Sequence, residues 1–318
     1  MGYFVGEYAI APASLADEER VLAGLAASHH VRGLELPFTG ALHRSDEAWL
    51  FARLRRDWDF VVTLIPGTMG RLQTQRHFGL ASADESGRLA ALAMARAARD
   101  AVERLCAALG RKAVVAVEVH SAPSRGPAGG VGDRDAFARS LAEVAAWDWS
   151  GARLAVEHCD AYRPGHPQHK GFLSLEDELA AIASANAEAR TNIGICVNWG
   201  RSVLETHDAA TAVAHVEAAR RAGALAGIMF SGASSADTPY GVWQDTHMPH
   251  APAPGLAHGV EGSLMTETEI RRCMEAAHGI HLDILGAKIA IRPPESSVEE
   301  RLGMVGDLLT LIARARGA

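Results

Sequence analysis

The sequence predicts an α/β fold, a (β/α)8 barrel forming a single domain over residues 1–318, and three observations carry that prediction. Apolar, strand-like runs recur along the chain, separated by amphipathic, Ala-rich helical stretches. Most runs end on a polar mark: Glu7, Glu35, Glu118 with His120, Glu157, Asn198 and Ser231. Several connections that follow runs are long, whereas those that lead into runs are short, as at 110–112 and 222–224. A barrel of alternating strands and helices gathers its strand C-termini on one face, which is where such barrels place their active sites.

The elements follow in order. A first run at 3–10 leads to a helix at 14–28, opened by Ser14 and Asp17. A second run at 31–37 precedes a helix at 46–56 with Trp49, Leu50 and Leu54 on one side. The third run, 59–65, is followed by a long connection at 66–83 and a helix at 84–109 stopped by Gly110. The fourth, 113–120, leads through a glycine-rich, flexible loop at 126–132 to a helix at 133–147. The fifth, 153–159, has a long connection at 158–173 and a helix at 174–187. A sixth run at 192–198 pairs with a helix at 206–222. The seventh, 225–231, carries the longest connection, 232–265, before a helix at 266–277. The last run, 284–291, is closed by a helix at 296–314. Ser174 with Asp177 and Thr266 with Glu269 come close to capping boxes. A doubly wound open sheet is disfavoured, because the first run meets residues 7–12 without a glycine-rich turn. Residues 126–132 match neither a dinucleotide fingerprint nor a phosphate loop.

Composition narrows the function classes. With 31 basic and 38 acidic residues and a formal charge of −7, no basic block offers a nucleic-acid surface. No charged leader or long apolar segment suggests secretion or a membrane span, so a cytoplasmic protein is expected. The four cysteines, Cys106, Cys159, Cys196 and Cys273, form no CxxC pair and read as reduced, buried thiols. The basic residues are 28 Arg and three Lys, and one of those lysines, Lys288, lies inside the apolar run at 287–291, where an unneeded cation is costly to bury.

The fourth and fifth run ends read V-V-A-V-E-V-H and L-A-V-E-H-C-D. Alternation places Glu118 and His120 on one face, and Glu157 opposite His158 and Asp160. Adjacent barrel strands can bring Glu118 and Glu157 together, and repulsion and burial would then split their pKa values for acid/base work. Alternatively, they accept hydrogen bonds from Arg or Lys288 and shape the pocket. Lys288 itself fits a charge partner or an oxyanion stabiliser better than a Schiff-base nucleophile, because pairing keeps it protonated. In the third connection, Arg71, Gln73, Arg76 and His77 could grip an anionic group or be solvated surface residues. Trp199, Trp243 and Tyr240 could stack on a sugar, though Trp199 fits the core equally well. No G-x-S-x-G elbow is present.

With these residues in place, the chain resembles the xylose isomerase-like TIM barrel superfamily of sugar isomerases, epimerases and related endonucleases. The resemblance rests on G-L-E-L in the second run, L-A-V-E in the fifth and the element order, and W-Q-D-T-H-M-P-H in the seventh connection resembles a bacterial branch without a settled activity. Epimerase-type members hold a divalent metal with a Glu ending strand five, an Asp ending strand six, a His on strand seven and a Glu on strand eight. Carried over, these positions are Glu157, Asn198, Ser231 and Lys288, so only the first is retained. A hard cation wants several anionic oxygens, and an ammonium opposes it. The inherited site is therefore expected to be absent or rebuilt, with Glu157, His247 and His250 as metal candidates. In the other reading, Asp245, His247 and His250 form a lid that contacts a polyol.

The resulting expectation is an isomerase- or epimerase-like enzyme for a sugar-like small molecule, neutral or anionic. Glu118, Glu157 and Lys288 would carry the chemistry. Substrate would be held by Glu7, Glu35, Arg71, His120, His158, Asn198, Trp199, Ser231, Trp243, Asp245 and His247. A glycoside hydrolase or lyase using the same carboxylates, and a non-catalytic sugar-binding barrel, are the alternatives. A possible divalent metal and a possible homo-oligomer complete the expectations.

Overall fold

The computed structural model describes residues 2–127 and 130–317. Eight parallel strands close into a barrel in chain order: β1 (Tyr3–Gly6), β2 (Val31–Pro37), β3 (Asp59–Thr63), β4 (Val114–Val119), β5 (Arg153–His158), β6 (Gly194–Asn198), β7 (Leu225–Phe230) and β8 (Ile284–Ala287). The last pairs back onto the first through Phe4 with Gly286 and Val5 with Ala287.

Strand periodicity sorts the side chains into two cores. Val5, Leu34, Val62, Val117, Val156, Val197 and Ile228 face outward and pack with the helices in the main apolar cluster. Phe4, Val61, Ala116, Ala155, Cys196, Met229 and Ile284 have the opposite parity and form a separate apolar plug in the lumen. One inward position further along their strands come Gly6, Glu35, Thr63, Glu118, Glu157 and Asn198, with Lys288 just past β8. The polar layer is thus stacked on an apolar one, as layered side chains fill such barrels.

The helices are α1 (Glu7–Ile10), α2 (Leu15–Ala27), α3 (Glu47–Phe51), α4 (Ile65–Leu72), α5 (Glu85–Leu109), α6 (Arg134–Ala145), α7 (Leu175–Ala189), α8 (Trp199–Thr206), α9 (Ala210–Arg221), α10 (Glu267–Ala276) and α11 (Val298–Arg316). The N-caps at Ser174 and Thr266 accept the backbone N–H three residues on, and Ser297 with Glu300 completes a reciprocal box. The three short helices α1, α4 and α8 differ from the sequence expectation. Each starts within two residues of a strand's end, so the chain turns into helix at the mouth; β1 and β3 stop earlier than the expected runs, whereas β6 ends at Asn198 as expected. Pro66 favours the first turn of α4, and Asn198 caps α8 by accepting from the Arg201 N–H at 3.3 Å.

The connection at 232–265 is pinned by bridges between Gly232 and Met248 and between Ser234 and Ser263. Gly200 allows α8 to lie against the end of β7, since a Cβ there would meet the Ser231 carbonyl oxygen at 2.4 Å. Of the glycine-rich stretch at 126–132, Ala128 and Gly129 lie outside the described residues. All four cysteines are free and buried. No helix among the described residues is long and apolar enough to cross a membrane.

Candidate active site at the barrel mouth

Glu157 is the centre of the polar layer. Its Oε1 accepts from Asn198 Nδ2 at 3.0 Å and from Lys288 Nζ at 2.7 Å. Its Oε2 lies 2.9 Å from His120 Nε2 and 2.7 Å from Arg201 Nη1. Three hydrogen-bond partners and the Arg201 guanidinium thus enclose the carboxylate. Burial disfavours the charge, but Arg201 and Lys288 overcome it and hold Glu157 well below the usual carboxylate range. Glu157 is therefore a buried, ionised anchor enclosed by protein groups.

Glu35 and Glu118 behave differently. Lys288 Nζ also sits 2.5 Å from Glu35 Oε1, and the oxygens of Glu35, Glu118 and Glu157 come within 4.8 Å of one another. Burial, together with the Glu157 and Glu35 charges, pushes Glu118 well above the carboxylate range. Glu118 is thus a neutral acid, and burial raises Glu35 too, against the pull of Lys288. The Lys288 ammonium stays protonated, because Glu157 and Glu35 outweigh its burial. Burial lowers His120 to about 4, so the neutral ring donates from Nε2 to Glu157 and its buried Nδ1 has no partner among the described residues.

Above this layer lies a cavity of about 370 Å³, lined by Tyr8, Ile65, Pro66, Met69, His169, Lys170, Arg201, Asp245 and His247. Arg201 joins the two levels: Nη1 holds Glu157 and Nε lies 3.3 Å from Asp245 Oδ2, an oxygen that Lys170 also holds. Against burial, Lys170 and Arg201 keep Asp245 well below the carboxylate range. Asp245 Oδ1 is 3.5 Å from His247 Nδ1, and Ser231 Oγ is 2.8 Å from the same nitrogen. Burial lowers His247 to about 3, so it lines the cavity as a neutral imidazole. The Tyr8 hydroxyl is buried without a partner among the described residues, and burial raises its pKa, so it stays a phenol.

The expected site residues divide accordingly. Glu35, Glu118, His120, Glu157, Asn198 and Lys288 meet in the buried layer; Ser231, Asp245 and His247 meet at the cavity. Five others go elsewhere, and so does the ring of Trp243. Glu7 opens α1 with outward parity, where burial, aided by the nearby Glu18, raises it to about 8. His158 faces away from the lumen, between Glu178 and Glu205. Trp199 is fully buried in the main core and has no stacking face to offer. Trp243 stacks on His207 at 4.1 Å rather than on the cavity, to which only its backbone connects, through His169. Arg71 lines a separate groove with Phe38, Gly67 and Gln75. His250 is buried, with Nδ1 2.8 Å from the Ala251 carbonyl oxygen and Asp307 and His258 nearby. Among the described residues, neither clustered set of three possible metal ligands includes His247 or His250. Tyr8, His169, Lys170 and Arg201 are the polar cavity residues that sequence reasoning passed over.

Residues 4–304 match the family described as a domain of unknown function, DUF4862. The chain belongs to that family. An uncharacterized protein of Salmonella typhimurium, STM3670, is 35% identical over 318 residues, spanning 99% of this chain and 97% of its own length. Among solved structures, this DUF4862 chain is similar to a xylose isomerase domain protein from Alicyclobacillus acidocaldarius (17% identity, 100% of both chains, TM-score 0.55). It is also similar to a sugar phosphate isomerase/epimerase from Parabacteroides distasonis (10% identity, 99% and 94% covered, TM-score 0.56). Endonuclease IV from Thermus thermophilus shares the barrel as well (15% identity, 98% and 99% covered, TM-score 0.53). The DUF4862 chain therefore has the xylose isomerase-like barrel fold.

The metal set of epimerase-type barrels does not fit the residues of this DUF4862 lumen. Of Glu157, Asn198, Ser231 and Lys288, only Glu157 is an anion, and it is already held by Asn198, Lys288, His120 and Arg201. The Lys288 ammonium, between Glu157 and Glu35, supplies the positive charge that an ion would bring.

Proposed function

We propose that this chain is an isomerase- or epimerase-like enzyme that moves a proton at a carbon next to the carbonyl of a sugar or sugar derivative. The observation that carries the proposal is the cavity at the strand C-termini, whose walls hold a neutral His247, an ionised Asp245, two cations and an unpartnered phenol. Lys170 and Arg201 hold the carbonyl oxygen and stabilise the negative charge that develops on it as the proton leaves carbon. His247 transfers the proton through Nε2, the ring nitrogen that Ser231 and Asp245 leave for a ligand. Tyr8 donates a hydrogen bond to a substrate hydroxyl. Glu157, Lys288 and the Glu35–Glu118 pair fix Arg201 from below rather than touching substrate.

A hydrolase that used Glu118 and Glu157 would need both carboxyls at the sugar, yet both are fully buried and neither lines the cavity. Incubation of the protein with a panel of aldoses and ketoses in deuterium oxide tests the reading by NMR. Deuterium is expected at the carbon adjacent to the carbonyl of the accepted sugar. Cleavage of glycosides without exchange would replace this reading with the hydrolase.

A further inference from the structure

A second cluster lies outside the lumen, where the end of β5 meets α8 and α9. His158, Glu205 and His215 bring one ligand atom each to within 4.8 Å of the others. His158 is fully buried; its Nδ1 is 2.7 Å from Glu178 Oε2 and its Nε2 is 3.2 Å from Glu205 Oε2. His215 Nδ1 is 3.0 Å from Ser202 Oγ, and its Nε2 is 4.0 Å from Glu205 Oε1. The two rings meet edge to face, with centroids 4.7 Å apart.

Both imidazoles thus have Nδ1 taken by an outer oxygen and Nε2 turned toward one carboxylate. An outer oxygen on the far ring nitrogen is what fixes tautomer and ring direction in metal-bound histidines. Tetrahedral zinc, with bonds of about 2.0–2.1 Å, spaces its ligand atoms about 3.3 Å apart. The 3.2 Å from His158 Nε2 to Glu205 Oε2 already meets that spacing; His215 Nε2 lies 4.0 Å from the other oxygen, Oε1, and the ligand atoms, all within 4.8 Å of one another, have to draw in by about 1 Å. A metal-free ion pair would account for His158, with Glu178 and Glu205 as its partners, but it would station a second imidazole against the first for no gain. Two imidazole nitrogens and one carboxylate suit Zn²⁺ better than oxygen-seeking ions.

We propose that His158, Glu205 and His215 form a Zn²⁺ site, with both Nε2 atoms and the Glu205 carboxylate as ligands and with Glu178 and Ser202 as outer partners. Binding displaces to solvent the proton that otherwise lies between His158 and Glu205, and it leaves the fourth tetrahedral position open. The ion ties the end of β5 to α9 and to the C-terminal turn of α8, the helix that carries Arg201. The site shares no residue with the cavity, so it stands or falls apart from the proposed reaction.

The test is equilibrium dialysis of the chelator-stripped full chain against Zn²⁺. One ion per chain is expected, with affinity lowered at least ~10-fold in His215→Gln and ~10-fold in Ser202→Ala. Glu118→Gln should leave zinc binding unchanged. No retained zinc, equal retention by His215→Gln, or loss in Glu118→Gln instead would each overturn the site. Should His215→Gln fail to fold, Co²⁺ on the unsubstituted chain decides: visible bands of a tetrahedral site support the proposal, and their absence overturns it.

Discussion

Arg201 Nη1 lies 2.7 Å from Oε2 of Glu157 in a buried ion pair, so the cation that reaches the cavity is anchored by an anion that does not. Removing that anion leaves Arg201 and Lys288 buried with less compensation. Glu157→Gln is expected to cost about 3–5 kcal/mol of stability, the usual penalty for breaking a buried ion pair from one side. Urea denaturation measures it, and a cost below about 1 kcal/mol would mean that the four donors on Glu157 do not act together.

Tyr8→Phe separates folding from function. The hydroxyl is buried and unpartnered among the described residues, so deleting it removes a desolvated polar group. Stability should hold or rise slightly in thermal denaturation, while KM for the accepted sugar rises. A loss of stability with unchanged KM would assign Tyr8 to the scaffold.

His247→Asn should lower kcat by about 10²–10⁴-fold with little change in KM, the range for a lost general acid/base. Steady-state kinetics checks this, alongside Arg201→Lys, which should raise KM as well because it breaks the contacts to both Glu157 and Asp245.

His158 gives the pH dependence a direction. Although burial opposes its charge, Glu178 and Glu205 raise it to about 10, above the ordinary unfolded value of about 6.5. Its contribution is present in full below about pH 6.5 and is lost as pH rises through about 10. Chelator-treated protein should therefore lose stability across that window, and His158→Gln should flatten the profile. Glu205, lowered to about 2 despite burial and chiefly by His158, works in the opposite direction. Its contribution is present above about pH 4.3 and is lost as pH falls toward 2.

Gly6→Ala probes the crowding of the polar layer. A Cβ at Gly6 would stand 3.0 Å from Glu35 Oε2 and 3.1 Å from Lys288 Cγ, both held in place by their ion pair. A cost of about 1–3 kcal/mol is expected from such overpacking, measurable by the same denaturation assay.

The barrel was legible in the sequence because one period governs strand, lumen and mouth alike. Glu118, Glu157 and Asn198 share inward parity with the plug residues Ala116, Ala155 and Cys196 two positions earlier, so marking strand ends found the polar layer. Tyr8 escaped this rule because β1 ends at Gly6 and Tyr8 belongs to α1. His158 fails by parity, being adjacent to Glu157 and therefore on the other face. Arg201 was hidden because the residues after Asn198 fold as a helix, and helical geometry turns the third of them back to the mouth. Lys170 carried a usable signal, since a lysine in a chain of 28 arginines was already the clue that singled out Lys288. Neither residue lies in a strand, and strand periodicity is silent about loops and helix turns.

The raised Glu118 has an electrostatic consequence. With that carboxyl neutral, the mouth carries three anions, Glu35, Glu157 and Asp245, matched one for one by Lys288, Arg201 and Lys170. A neutral polyol enters an electroneutral chamber without disturbing this balance. A phosphorylated ligand does not, and its arrival would have to be accompanied by proton uptake, which would make its affinity climb as the solution is acidified while that of the neutral sugar stays level.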